Sequence, residues 1–188
     1  MNPVTAQRRG FTLVELMIAV AIVSILATLA IYGVEKYVKT SKTTEARNTL
    51  GQISKDVGSA YLREAMAGTV LNLGATAAKS NALCPNGAPV PADIASVRGK
   101  KYQSSPLDWT GGWTCLRFGM SDPQYYQYQY MVNGALDAPN TTFTIEALGD
   151  LDSDTKASSF RYNGALVDDG DNMLVILGAN IDEIDPEE

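Results

Sequence analysis

The chain reads as an α+β protein, with one long N-terminal helix packed on a C-terminal antiparallel sheet. Three observations predict this. An apolar run from Leu16 to Ile31 is followed by apolar residues at three- and four-residue steps. In the last third, tyrosines alternate with other side chains. The stretch between is rich in Gly, Ala, Pro, Ser and Asn. Periods of 3.6 and 2 belong to amphipathic helix and half-buried strand respectively.

The helix is predicted in two halves. From Phe11 to Val34 it is apolar all round and spans about 35 Å, enough to cross a bilayer. Arg8 and Arg9 precede it and place the N-terminus in the cytoplasm, with the rest of the chain outside. Beyond Tyr32, the residues Val34, Tyr37, Val38, Leu50, Ile53, Val57, Tyr61 and Leu62 keep one apolar stripe. Lys36, Lys39, Lys42, Glu45, Arg47, Lys55 and Asp56 fill the other faces. The helix is expected to reach Ala65 or Ala67, with Gly68 as its stop, giving a rod of about 80 Å. An ordinary secretory signal fits less well, because the apolar run is longer than usual and no convincing small-x-small cleavage site follows it.

Residues 68–121 read as a long connection. Ala82 to Pro91 is turn chemistry rather than helix or sheet, although Pro91-Ala92-Asp93-Ile94 suits a short turn. Trp109 and Trp113 flank Gly111-Gly112 and are expected to cover the core beside Cys115. Residues 122–188 read as sheet. Tyr126, Tyr128 and Tyr130 share one face, as do Phe143, Ile145 and Ala147. Asn163-Gly164 between short apolar runs predicts a tight hairpin. Met173–Leu177 suits a further strand, which makes a four-stranded head, and the acidic tail from Asp182 is expected to fray.

One acid interrupts the apolar run near its start. Burying Glu15 there disfavours insertion by about 2.5–3.5 kcal/mol on insertion scales, so a working role is expected for it. Cys84 and Cys115 both fall in the exported part, where disulfides persist. A bridge between them would stabilise by about 3–4 kcal/mol in the chain-entropy model. Asp150, Asp152 and Asp154 alternate like the start of a calcium loop. An EF-hand would need glycine where Thr155 stands and glutamate where Arg161 stands. A different calcium site, helped by carbonyls or by Asp168, Asp169 and Asp171, is the competing expectation to a solvated acidic turn. No other cofactor is expected.

Gly10-Phe11-Thr12-Leu13-Val14-Glu15 resembles the processing site of type IV pilins and of the related type II secretion pseudopilins. The resemblance implies an order of events. A prepilin peptidase cuts after Gly10 on the cytoplasmic side, and Phe11 becomes an N-methylated N-terminus. Glu15 then neutralises the Phe11 amine of a neighbouring subunit. The segments implied are a leader (1–10), an assembly half (11–34) and an amphipathic half (35–67) of the helix, and a globular head (68–188). The implied function is a structural subunit of a type IV pilus. Its partners are other pilin subunits, the peptidase and an inner-membrane assembly platform. The protein would sit in the inner membrane before assembly and in a pilus or periplasmic filament afterwards. A type II secretion pseudopilin and a membrane-tethered, non-polymerising binding domain are the alternatives. The small residues Ala19, Ala21, Ser24, Ala27 and Ala30 suit close helix packing in a filament core. Many type IV pilins carry a proline just after the apolar run, where this chain has Tyr32-Gly33.

Composition excludes several classes. The formal charge of −6 disfavours binding of the head to phosphate backbones, so no nucleic acid partner is expected. The chain has no histidine, no G-x-S-x-G and no phosphate loop, so no enzyme is predicted. Alternating tyrosines are read as sheet packing rather than base stacking or adhesion.

Overall fold

The computed structural model describes residues 10–63, 65–66, 73, 79–170 and 172–186. The chain divides into two compact units, Met1–Val38 and Lys39–Glu188. The first helix, α1, runs over Leu13–Leu62 and contributes to both. In the first unit every described residue is exposed, and Phe11 reaches 88% exposure. Among the described residues, one helix, α1, is long and apolar enough to cross a membrane. Ser24 and Thr28 donate their hydroxyls to the Val20 and Ile25 carbonyls, so neither polar group asks for water.

In the second unit, Ala46, Leu50, Ile53, Val57, Ala60 and Tyr61 form the buried stripe of α1. They share one core with Tyr126, Tyr128, Tyr130, Phe143, Ile145, Ala147, Phe160 and Leu166. The helix stops at Leu62, short of the expected Ala65 or Ala67, and Gly68 lies outside the described residues. The Arg63 N–H tightens the last turn onto the Ala60 carbonyl, and the Arg63 guanidinium donates to the Cys115 carbonyl. Ala65–Met66 (β1) instead pairs with Lys79–Ser80 (β2).

The main sheet is antiparallel and has six strands, not four. β3 (Gly87–Val90), β4 (Gln127–Asn133), β5 (Thr142–Gly149), β6 (Ser158–Asp168) and β7 (Met173–Leu177) follow in that order. β8 (Asp182–Ile184) pairs with the start of β6. Two expectations are corrected here. The tail is a strand over Asp182–Ile184, held by pairing to Ser159–Arg161 and by Arg47, which donates twice to Glu183. The stretch read as pure connection contains β3, a 3-10 turn (Ile94–Ser96) capped by Asp93, and a short helix α2 (Gly112–Leu116). β3 lies at the sheet edge, where its Pro89 is tolerated.

The Asn163-Gly164 hairpin is also corrected. β6 runs straight through it, pairing Asn163 with Thr144 and Gly164 with Phe143. A Cβ at Gly164 would stand 2.3 Å from the Phe143 ring and 2.9 Å from the Ile176 carbonyl oxygen. The glycine admits an aromatic ring rather than turning the chain. The turn comes later, where the Asp169 N–H bonds the Asn172 carbonyl and Gly170 takes φ +98°.

Candidate functional site

The N-terminus of α1 is a built structure. Thr12 stands just before the first helical turn, and Glu15 falls three residues later. The Thr12 backbone N–H and hydroxyl both donate to Glu15 Oε2, at 2.9 and 2.8 Å. The Glu15 N–H donates back to the Thr12 hydroxyl oxygen at 3.2 Å, and the Leu16 N–H donates to the Thr12 carbonyl. This is a reciprocal capping box, which satisfies donors that a helix start otherwise leaves open. The carboxylate also sits at the positive end of the helix dipole. Threonine followed three residues later by glutamate is the sequence signal for such a box.

Both Thr12 donors converge on one oxygen, and among the described residues Glu15 Oε1 accepts no hydrogen bond. The site therefore has an acceptor open to a cation from outside the chain. Gly10 and Phe11 lie just ahead of it, both exposed. A Cβ at Gly10 would meet nothing within 4 Å, so the fold of the chain itself does not demand glycine there. Arg8 and Arg9 lie outside the described residues.

Cys84 and Cys115 are bonded to each other. Beside them Trp113 is fully buried and donates its ring N–H to the Ala88 carbonyl at 2.7 Å. Trp109 and Phe118 stack near it, Trp109 edge-on with ring centres 5.1 Å apart.

The three aspartates of the β5–β6 loop do come together, with one carboxylate oxygen of each within 4.8 Å of the others. Each is already matched by a cation of the chain. Asp150, buried, faces Arg98 at 3.0 Å and accepts the Ser153 and Thr155 N–H groups. Asp152 pairs with Lys39 at 2.8 Å, and Asp154 lies 3.6 Å from Lys156. A calcium ion takes six to eight oxygens and would have to displace these cations. The donor set as arranged does not suit it. Of the other proposed helpers, Asp168 and Asp169 lie in the separate β6–β7 turn, where they accept from Gly170 and Asn172, and Asp171 is outside the described residues.

A further carboxylate was not anticipated as functional. Glu45 accepts the Tyr125 N–H at 2.9 Å and the Tyr128 hydroxyl at 3.2 Å, tying α1 to the start of β4. Burial pushes its carboxyl up, against the pull of those donors and of Lys101.

The family model for the prokaryotic N-terminal methylation motif matches residues 5–31. The fimbrial protein EcpC of Eikenella corrodens is 48% identical over 44 residues, which is 23% of this chain and 29% of that protein. The type IV major pilin protein PilA of Myxococcus xanthus (strain DK1622) is 52% identical over 44 residues, 23% of this chain and 20% of that protein. The alignments thus span less than a third of either curated relative. No solved structure matches.

Proposed function

We propose that the chain, whose N-terminal segment matches the methylation motif and is similar to that of a type IV major pilin, is a structural subunit of a type IV pilus, made as a membrane-held precursor and cut after Gly10. The observation that carries this reading is the first unit of the chain. Its apolar stretch of α1 buries none of its described residues, and the one carboxylate within the apolar run, Glu15, is held at the helix start with an oxygen to spare. A segment of that kind needs surroundings, first lipid and then other helices. Lipid is as apolar as the helix, so hydrophobic area does not drive the exchange. Charge does. Cleavage creates an amine at Phe11, and Glu15 of an adjacent subunit has an acceptor for it. In a low-dielectric filament core that attraction is far stronger than in water. Thr12 sets the carboxylate's direction before the partner arrives. In this reading the N-terminus faces the cytoplasm until extraction, and the prepilin peptidase and an assembly platform are the partners.

The test is intact mass and N-terminal sequence on protein sheared from cell surfaces. A chain starting at methylated Phe11 and abundant in that fraction is expected. A chain starting at Phe11 but confined to the envelope would favour a pseudopilin. A chain still starting at Met1 in cells with an active peptidase would overturn the proposal. Glu15→Ala is expected to leave processed protein in the membrane and to abolish filaments in cells that carry only that variant.

A further inference from the structure

The edges of the main sheet are finished differently. β3 carries Pro89 and an irregular register against β4. β8 carries Asp182 and Glu183. A proline, an irregularity or a charge keeps a sheet edge from pairing with another chain. β7 has none of these over Met173-Leu174-Val175-Ile176-Leu177, and among the described residues no strand lies on its far side. The hydrogen bonds fix what that side offers. The Gly178 N–H donates to the Asn163 carbonyl of β6, whereas the Leu166 N–H donates to Thr141 and the Leu166 carbonyl accepts from Asn140, both away from β7. Backbone groups alternate in direction along an antiparallel strand. Leu174 and Ile176 therefore bond to β6, and the N–H and carbonyl groups of Val175 and Leu177 point to the open side. The Met173 carbonyl, at one end, accepts the Tyr61 hydroxyl. Met173, Val175 and Leu177 pack on the core, so Leu174 and Ile176 place their side chains on the opposite face, 46% and 50% exposed.

We propose that β7 pairs with β7 of a second copy of the chain, antiparallel and centred on Val175. In that register the strand is its own complement. Val175 exchanges N–H and carbonyl bonds with its counterpart, and Leu177 faces the partner's Met173. Leu174 then stands opposite the partner's Ile176 in a non-hydrogen-bonded pair, where side chains approach most closely, and symmetry repeats the contact. All four exposed apolar side chains are covered at once. Charge selects the direction. A parallel pair would set the acidic ends, Asp168 and Asp169, side by side, whereas the antiparallel pair sets each against the uncharged Gly178-Ala179-Asn180. An unrelated peptide would need apolar residues at the same alternate positions, which a second copy brings by symmetry. Five residues make an interface below the about 1,200–2,000 Å² of stable complexes, so the pair is weak at dilution and fills where chains are held close together. A twofold contact closes on itself and does not propagate. The pairing is therefore an additional contact between two chains, and it does not depend on the filament reading.

The experiment uses the full chain in detergent micelles at rising protein-to-detergent ratio, with amide hydrogen exchange read residue by residue by NMR. The Val175 and Leu177 amides are expected to exchange about tenfold more slowly once nearly all chains are paired, while those of Leu174 and Ile176, already bonded to β6, keep their rates. Added salt should strengthen the pairing, because two copies at −6 each repel. Ile176→Lys and Leu174→Glu, each alone, should abolish the slowing and leave the β4 and β5 amides protected, which shows that the variants fold. If one of them loses that protection, the other carries the test. An equal mixture of the two should restore the slowing, because the introduced charges then face each other across the pair. Unchanged Val175 and Leu177 rates at every ratio would overturn the pairing, even in chains that associate through α1, and would leave the filament reading intact. Slowing that survives in both single variants, or a mixture no better than either folded variant alone, would overturn it as well.

Discussion

The two stretches of α1 use the same backbone in opposite ways. Up to Val38 no described side chain is buried, although most are apolar. From Thr43 to Tyr61 nine are buried, on one face, and the other face is polar. The second stretch finds its partner inside the chain, in the tyrosine face of the sheet. The first has no such partner among the described residues, and in the function proposed above its surroundings are lipid and then other subunits. Apolar residues thus stabilise the folded head in one stretch and leave it untouched in the other.

The sharpest way to break that comparison is to truncate one large apolar side chain in each unit. Trp113→Ala removes a fully buried ring whose N–H bonds Ala88. The ring lies so close to Gly87 that a Cβ there would come within 2.7 Å of it. A loss of about 3–5 kcal/mol in head stability is expected, read by denaturant melts of the full chain in detergent. Leu26→Ala in the first unit should not move the same transition. Equal losses from both would mean that the halves are not energetically separate.

A second substitution sharpens what sets the sheet. Gly164→Ala forces a methyl against the Phe143 ring and the Ile176 carbonyl, and should destabilise by about 1–3 kcal/mol. Gly170→Ala, in the true turn, meets nothing within 4 Å and suffers only from its φ of +98°. A larger loss at Gly170 than at Gly164 would contradict this account of the sheet.

The same glycine shows what the sequence could and could not convey. The period-3.6 stripe and the tyrosine alternation were legible because burial imposes each directly. Asn163-Gly164 suggested a turn because a local signal looks the same whether glycine bends the chain or makes room for the Phe143 ring on the neighbouring strand; only the pairing of β6 with β5 decides, and that pairing is not local. β8 was missed for a related reason. Asp182–Ile184 has no apolar alternation, and its order comes from Arg47, far away in sequence. At the N-terminus the methylation-type motif around Gly10, Phe11 and Glu15 was legible from its order of residues. The capping role of Thr12 is legible too, in its three-residue spacing from glutamate.

The tie between α1 and β4 gives a pH-dependent prediction. Burial raises the Glu45 carboxyl above its ordinary 4.5, so the folded state keeps that proton to higher pH than the unfolded chain does. Its contribution to stability must then fall as pH rises from the ordinary value through the raised one. Asp152 and Glu183 act in the opposite sense. Lys39 and Arg47 lower them, so their contributions are present above the ordinary carboxylate values and lost as pH falls through the lowered ones. Glu45→Gln should flatten the melting temperature across the mildly acidic window and leave the steeper acid loss in place. An unchanged profile would mean that Glu45 titrates alike in both states.

The smallest effect is expected where the sequence pointed most openly to a ligand. In the β5–β6 loop every carboxylate oxygen of Asp150, Asp152 and Asp154 faces a backbone N–H or a cation of the chain. Ser153 and Thr155 take left-handed backbone conformations, at φ 68° and 80°, and Asp150 accepts the N–H of each. The loop is thereby closed by groups of the protein, and an ion would have to break Lys39–Asp152 and Lys156–Asp154 to enter. A ligand that binds only the native state must raise its stability. Melting of the chain in calcium and in chelator should therefore coincide, whereas Asp150→Asn, which weakens the contact with Arg98, should lower both curves together. A rise in calcium alone would show that the lysines yield, and would make this loop, like the first stretch of α1, a part of the molecule completed from outside.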